Sequence, residues 1–340
     1  MKDNNSAIAP RSLPLSVTPA GLGWGFLGVL AFSFTVPFTR IATGGMTPLF
    51  VAGGRAVVAG AAAAALLAVT RSPLPRGRQW LGVVVVALGV VAGFPLFTSF
   101  ALTSVPASHA AVVIGILPAA TAIVAVVRGG ERPSPLFWVA ATAGALVVTL
   151  FVTASSGGVE RPGAADLLLV AAVVAAAFGY AEGGVLSRTL GSWQTICWAL
   201  VVSLPAMLLV TAAAGVPRHA TGTEWASFAY LALVSMFLGF FAWYRGLAIG
   251  PVATVGQIQL LQPVMTITWS ALVLHETIGA SVVVGALGVV ACAAAAVTAR
   301  VTHGDSAKSH TPDTPAGTLS ACSSVSAPGR GCECSGPSPK

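Results

Sequence analysis

In a chain this apolar, the residues able to do chemistry are few. Two ionisable side chains lie inside long apolar stretches, Arg55 in PLFVAGGRAVVAG and Glu182 in AAAFGYAEGGVLS. A charge in a bilayer interior costs several kcal/mol, so it normally faces a cavity or a partner. The Arg55 guanidinium can pair a substrate carboxylate, or it can snorkel toward the headgroups. Glu182 can take up and release a proton, bind a cationic group on a substrate, or serve as an edge residue bridged to Arg188. Gln257, Gln259 and Gln262 add uncharged polarity to one apolar segment. Positions 259 and 262 share a helix face, and 257 is displaced from it. Such amides either line a polar path or join neighbouring helices. With Tyr180, Trp198, Trp243 and Tyr244 they form the candidate pathway lining. Pro118 and Pro263 each interrupt an apolar segment, removing one backbone hydrogen bond and freeing a carbonyl. They are the candidate hinges.

These side chains must be positioned by helices in a bilayer. Hydrophobic residues make up 56% of the 340 and charged residues 8%, with mean hydropathy +0.87. Soluble domains carry about 25% charged residues, so there is too little charge here to solvate a globular surface. A membrane-spanning helix needs about 20 apolar residues. That rule predicts ten spans, at 21–39, 48–69, 80–102, 108–127, 136–154, 165–186, 195–214, 225–244, 252–274 and 278–299. The expected fold class is therefore an all-α integral membrane protein. Residues 1–20 read as a cytoplasmic N-terminal segment, with an uncleaved first span after it. Residues 301–340, rich in Ser, Pro, Thr and Gly, read as a disordered cytoplasmic tail.

Lys and Arg collect on one side of this topology. With the N-terminus inside, Arg71, Arg76, Arg78, Arg128, Arg132, Arg188, Arg245 and Arg300 are cytoplasmic, and only Arg40, Arg161 and Arg218 lie outside. The positive-inside rule then places both termini in the cytoplasm of a multi-pass plasma-membrane protein. It also accounts for the net charge of +7. No basic cluster is dense enough for nucleic acid, and none is expected as a partner. Trp24, Trp80, Trp138, Trp193 and Trp225 stand near span starts, where indole rings favour the headgroup level. Cys197 and Cys292 read as small core residues. Cys322, Cys332 and Cys334 read as tail thiols without the further ligands a metal would need.

The chain also repeats itself. Pro106, Pro118 and Glu131 in the segment VPASHAAVVIGILPAATAIVAVVRGGE recur at the same spacing as Pro251, Pro263 and Glu276 in GPVATVGQIQLLQPVMTITWSALVLHE. Residues 21–154 and 165–300 thus form two halves of five spans each. Five is odd, so the halves enter the membrane from opposite sides as inverted repeats, the arrangement that alternating access uses. The two glutamates fall just past span ends, where capping or tying down a loop is the expected role. His109 reads as a polar residue at the edge of the fourth span.

These residues carry a family likeness. Two five-helix halves, each with a mid-span proline and a following glutamate, resemble EamA-type transporters of the drug/metabolite transporter superfamily. So do ALTSVPAS at 101–108, GLAIGPVAT at 246–254, GAL at 144–146 and GALG at 285–288. The likeness implies transport and gives neither direction nor cargo; the expected function is a secondary transporter exporting small metabolites, amino-acid-like or amphipathic compounds, with a metabolite importer of the same fold as the alternative. No P-loop appears, so gradients would supply the energy. No HExxH, G-x-S-x-G or paired Asp or His within the spans supports an intramembrane enzyme, and inverted repeats argue against a channel. The expected partners are the lipid bilayer and a small-molecule substrate, with no cofactor. Substrate identity, coupling ion and oligomeric state stay open, a homodimer among the options.

Overall fold

The computed structural model describes residues 19–129, 135–155, 163–249, 255 and 258–309. Gln257, Glu131, Pro251, the N-terminal segment and the tail beyond Ser309 lie outside the described residues. All regular structure among the described residues is helical. The first half contains α1 (Pro19–Ser33), α2 (Thr35–Gly45), α3 (Pro48–Val69), α4 (Gln79–Val86), a π-helical segment (Ala87–Gly93), α5 (Phe94–Ala101), α6 (Ala107–Ile114), α7 (Leu117–Gly129) and α8 (Pro135–Ser155). The second half contains α9 (Ala164–Leu186), α10 (Ser192–Ala214), α11 (Gly222–Ala229), a second π-helical segment (Tyr230–Leu238), α12 (Gly239–Ile249), α13 (Leu261–Val273) and α14 (Ala280–Ser309).

Seven helical stretches are long and apolar enough to cross a membrane: Pro19–Gly45, Pro48–Val69, Gln79–Ala101, Ala107–Ala125, Ala164–Leu186, Ser192–Ala214 and Gly222–Ile249. Shorter apolar helices at Pro135–Val148, Leu261–Val273 and Ala280–Ala295 stand where the other three spans are expected. The outward face carries large apolar side chains such as Leu81, Leu88, Val139, Leu209 and Val284. Trp24, Trp80, Trp138 and Trp225 are exposed as well. The first span runs on to Gly45, past its expected end near residue 39, and the last helix continues to Ser309. Once nucleated, a helix gains one hydrogen bond per added residue, so it extends into sequence too polar for the membrane.

Helix ends follow local chemistry. Thr47 caps α3 by accepting from Phe50 N at 3.2 Å, with Pro48 in the first turn. Thr221 and Glu224 form a capping box at α11. Gly215 ends α10 at φ 71°, a left-handed conformation that glycine adopts without a Cβ clash.

Between the ends, small residues let helices approach closely, the main source of association where lipid is as apolar as the core. A Cβ on Gly246 would lie 2.8 Å from Gly25 N, and one on Gly28 would lie 2.9 Å from Trp243 Cβ; these contacts lock α1 against α12. Gly53 and Gly60 do the same for α3 against Thr211 and Leu204 of α10. Glu276 accepts from Ala107 N at 2.8 Å and from Ser108 N at 2.9 Å. The capping role expected of it is therefore real, but it is played across the repeats, onto the start of α6 rather than the helix that follows it.

Candidate functional site

Breaks in helices build the site. The first span is interrupted at Phe34, between α1 and α2. Pro37 has no N–H to offer the Ser33 carbonyl. Thr266 of α13 supplies a hydroxyl there instead, at 2.9 Å, and Trp269 Nε1 donates to Ser33 Oγ at 3.0 Å. Two residues on, Thr35 Oγ1 and Ser235 Oγ share a hydrogen bond of 2.7 Å. The break thus ties the first span to the second half.

The third span of each half also departs from α geometry. In both, a stretch of the helix widens into the π pattern: Phe94 N bonds Gly89 O, and Gly239 N bonds Val234 O. Shifted by the interval that separates Pro118 from Pro263, the first π segment falls inside the second. Pro95 explains the first, because it withdraws a donor just where the pattern returns to α. The second is followed by Gly239, where a Cβ would come within 2.9 Å of Phe32. π segments recur at functional sites because the extra residue re-aims neighbouring side chains.

Both π segments border one cavity. Val90, Phe94 and Pro95 line it from the first half, and Ser235, Met236 and Phe240 from the second. Phe32, Thr35 and Val36 from the break in the first span, Tyr180 from α9 and Gln262 complete it. Arg55 reaches it from α3. Residues 53 and 55 are about 200° apart around a helix, so docking the Gly53 side on α10 turns Arg55 the other way. Arg55 is 1% exposed, and its Nε and Nη2 atoms have no hydrogen-bond partner among the described residues. The cavity volume is about 30 Å³, room for water but not for a metabolite, so loading needs the walls to part.

A second, narrower cavity adjoins the first, sharing Val36 and Gln262 with it. Pro118 and Pro263 both line it. Each proline follows a break: Gly115 and Ile116 leave the helix before Pro118, and Gln259 and Leu260 before Pro263. Pro263 has no N–H for Gln259 O, and Gln262 N takes that carbonyl at 3.0 Å in a tighter turn. The breaks touch, since a Cβ on Gly115 would lie 3.0 Å from Pro263 Cγ. Gln259 Nε2 and Gln262 Oε1 are buried here without a partner among the described residues.

Of the residues singled out from the sequence, Arg55, Tyr180, Gln259, Gln262, Pro118 and Pro263 are brought together at these adjoining cavities. The others are not. Glu182 is buried, but its carboxylate lies toward α4, where a Cβ on Gly82 would come within 2.7 Å of Oε1. Trp198 packs edge-on against Trp80 with centroids 6.0 Å apart. Trp243 backs the site, its ring centroid 5.7 Å from that of Tyr180, and Tyr244 donates to Gly179 O at 3.2 Å. Trp243 and Tyr244 are packing positions behind the wall, set by the close approach of α1, α9 and α12.

One pair escaped the sequence reading. His109 Nε2 lies 2.8 Å from Asp166 Oδ1, joining α6 of the first half to α9 of the second, while Asp166 Oδ2 accepts from Gly163 N at 3.0 Å. His109 is thus more than an edge residue, and nothing in the local sequence of either partner announces the other.

Comparison with known proteins agrees with this architecture. The EamA-like transporter family matches the chain twice, over residues 19–153 and 163–298. A Bacillus subtilis (strain 168) protein described as "Uncharacterized transporter YdeK" is 46% identical over 284 residues, covering 81% of this chain and 96% of that one. A solved structure described only as the crystal structure of a protein shares the fold, with a TM-score of 0.61 at 18% identity over 83% of this chain and 99% of that one. With two family matches that together span most of its length, on a helical membrane fold with matching irregularities in both halves, this chain is a member of the EamA-like transporter family.

Proposed function

We propose that the chain is a secondary transporter of ten spans in two inverted five-helix halves, both termini cytoplasmic. It exports small metabolites, amino-acid-like or amphipathic, across the plasma membrane by alternating access around the Arg55 cavity. The observation that carries this reading is that both halves give their irregular segments to the same place. Residues of both π segments line one cavity, and the two proline breaks touch beside it. Regular helices transmit motion as rods, whereas breaks and π turns absorb changes in backbone angle. In the rocking mechanism of inverted repeats, irregular backbone at the midplane binds the cargo and bends. Pro118 and Pro263 are the hinges of this scheme. Glu182, buried between α9 and α4 away from the cavity wall, is its proton-coupling group.

The test compares metabolites in the medium and in cells with and without the gene. A compound enriched in the medium only when the gene is present is the expected result. Depletion from the medium would make the protein an importer. A profile that does not respond to the gene would remove the transport reading.

A further inference from the structure

We propose that the cargo of the Arg55 cavity is a small organic monoanion, a carboxylate on an apolar body about the size of one ring. This rests on the transporter reading above and narrows it, because it sets aside the zwitterionic amino acids that an amino-acid-like substrate would include.

The charge balance of the cavity argues for an anion. Arg55 is buried at 1% exposure with Nε and Nη2 unpartnered among the described residues, and it lines the cavity. A guanidinium keeps its charge at working pH. Leaving such a charge buried and unpaired is among the costlier features a fold can carry. Among the described residues, no carboxylate lines the cavity. Three of the described acids are engaged elsewhere, Asp166 with His109, Glu224 in the cap of α11 and Glu276 in the cap of α6, and Glu182 lies against Gly82. A bound carboxylate would bring the site to neutrality with two charge-assisted hydrogen bonds.

An ammonium would meet neutral acceptors here, Gln262 Oε1 among them, but no counter-charge. The nearby hydroxyls of Thr35 and Ser235 already bond each other at 2.7 Å, and Gln262 is neutral. A zwitterion would leave one positive charge uncompensated in a dry site, and a dianion one negative charge. The rest of the wall sets the body of the cargo. Phe32, Phe94, Tyr180, Met236 and Phe240 offer rings and a thioether, which favour an aromatic or compact aliphatic group.

The test uses the purified full chain in detergent with phosphatidylcholine, so that no anionic headgroup competes. Four probes share one body and differ in charge: hydrocinnamate, phenylalanine, phenethylamine and hydrocinnamyl alcohol. Hydrocinnamate should raise the melting temperature of the wild type more than the other three at equal concentration. Arg55→Gln should weaken its binding about 10- to 100-fold, as expected for losing hydrogen bonds to a charged group. Arg55→Lys should fall between, keeping charge without the fork. Without ligand, Arg55→Gln should melt no lower than the wild type, since it breaks no pairing. The proposal is overturned if another probe stabilises as well, if no probe stabilises, or if the hydrocinnamate effect survives in Arg55→Gln. It is equally overturned if unliganded Arg55→Gln melts clearly lower, or if phosphatidylglycerol alone reproduces the Arg55-dependent shift, which would make this a lipid site. Counterflow of the four probes in proteoliposomes reads the parent hypothesis separately. Saturable counterflow of only phenylalanine or phenethylamine would keep the transporter and remove the anion. Arg55-dependent hydrocinnamate binding without counterflow would keep the anion site and remove the transporter.

Discussion

Glu276 binds the first two backbone N–H groups of α6 from the far repeat, where a carboxylate also meets the positive end of the helix dipole. Glu276→Ala should therefore lower the melting temperature, at a cost of about 1–2 kcal/mol, with Glu276→Gln between it and the wild type. Melting curves that superimpose would show the cap to be idle. Glu182 is a different kind of carboxylate, buried inside a span and turned toward Gly82. If it couples protons to transport, Glu182→Gln in proteoliposomes should lose flux driven by a pH gradient while keeping part of its substrate exchange. Wild-type pH-driven flux at equal protein level would reduce it to a packing residue. At this scale the sequence was informative wherever a residue is rare in its surroundings. Arg55 and Glu182 stand out because charge is scarce in spans, and Arg55 does line the cavity. His109 and Asp166 do not stand out, because each sits at a span end where polar residues are ordinary. Only the packing of α6 on α9 brings them together.

The informative elements are those that leave α geometry. If the prolines act as hinges, restoring the missing N–H should stiffen the breaks. Pro118→Ala and Pro263→Ala should each slow substrate counterflow about tenfold, the effect of roughly 1.4 kcal/mol added to the barrier. The melting temperature should hold or rise, because the restored N–H could close the helix across the break that the proline leaves open. Unchanged counterflow rates in both variants would contradict the hinge role. The prolines were readable from their repeated spacing, and most span positions were readable because unbroken apolar runs of the right length are rare outside membranes. The π segments were not. Their signal is a change in period, and ALGVVAG is wholly apolar while YLALVSMFL has a single serine between its apolar residues, too little polarity to mark the period. The break at Phe34 was equally hidden: Pro37 is visible, but its consequence depends on a hydroxyl from Thr266, far along the chain.

At the scale of the molecule, orientation and motion are the open physical questions, and the cavity at Arg55 links them. The basic loops predict cytoplasmic termini, so a reporter fused after Arg300 should be active only when it works in the cytoplasm; strong activity of a periplasm-only reporter there would break the ten-span topology. Alternating access makes a stricter demand on the same architecture. The residues between the π segments must meet water from each side of the membrane in turn. The most direct measurement places a single cysteine at Ser235, in the cavity wall, in a chain whose Cys197, Cys292, Cys322, Cys332 and Cys334 have been replaced. A membrane-impermeant maleimide is then applied to oriented vesicles from either side. The account predicts labelling from both sides, with no conformation in which ions pass straight through. Labelling confined to one side, or a steady ion conductance through the labelled path, would contradict it.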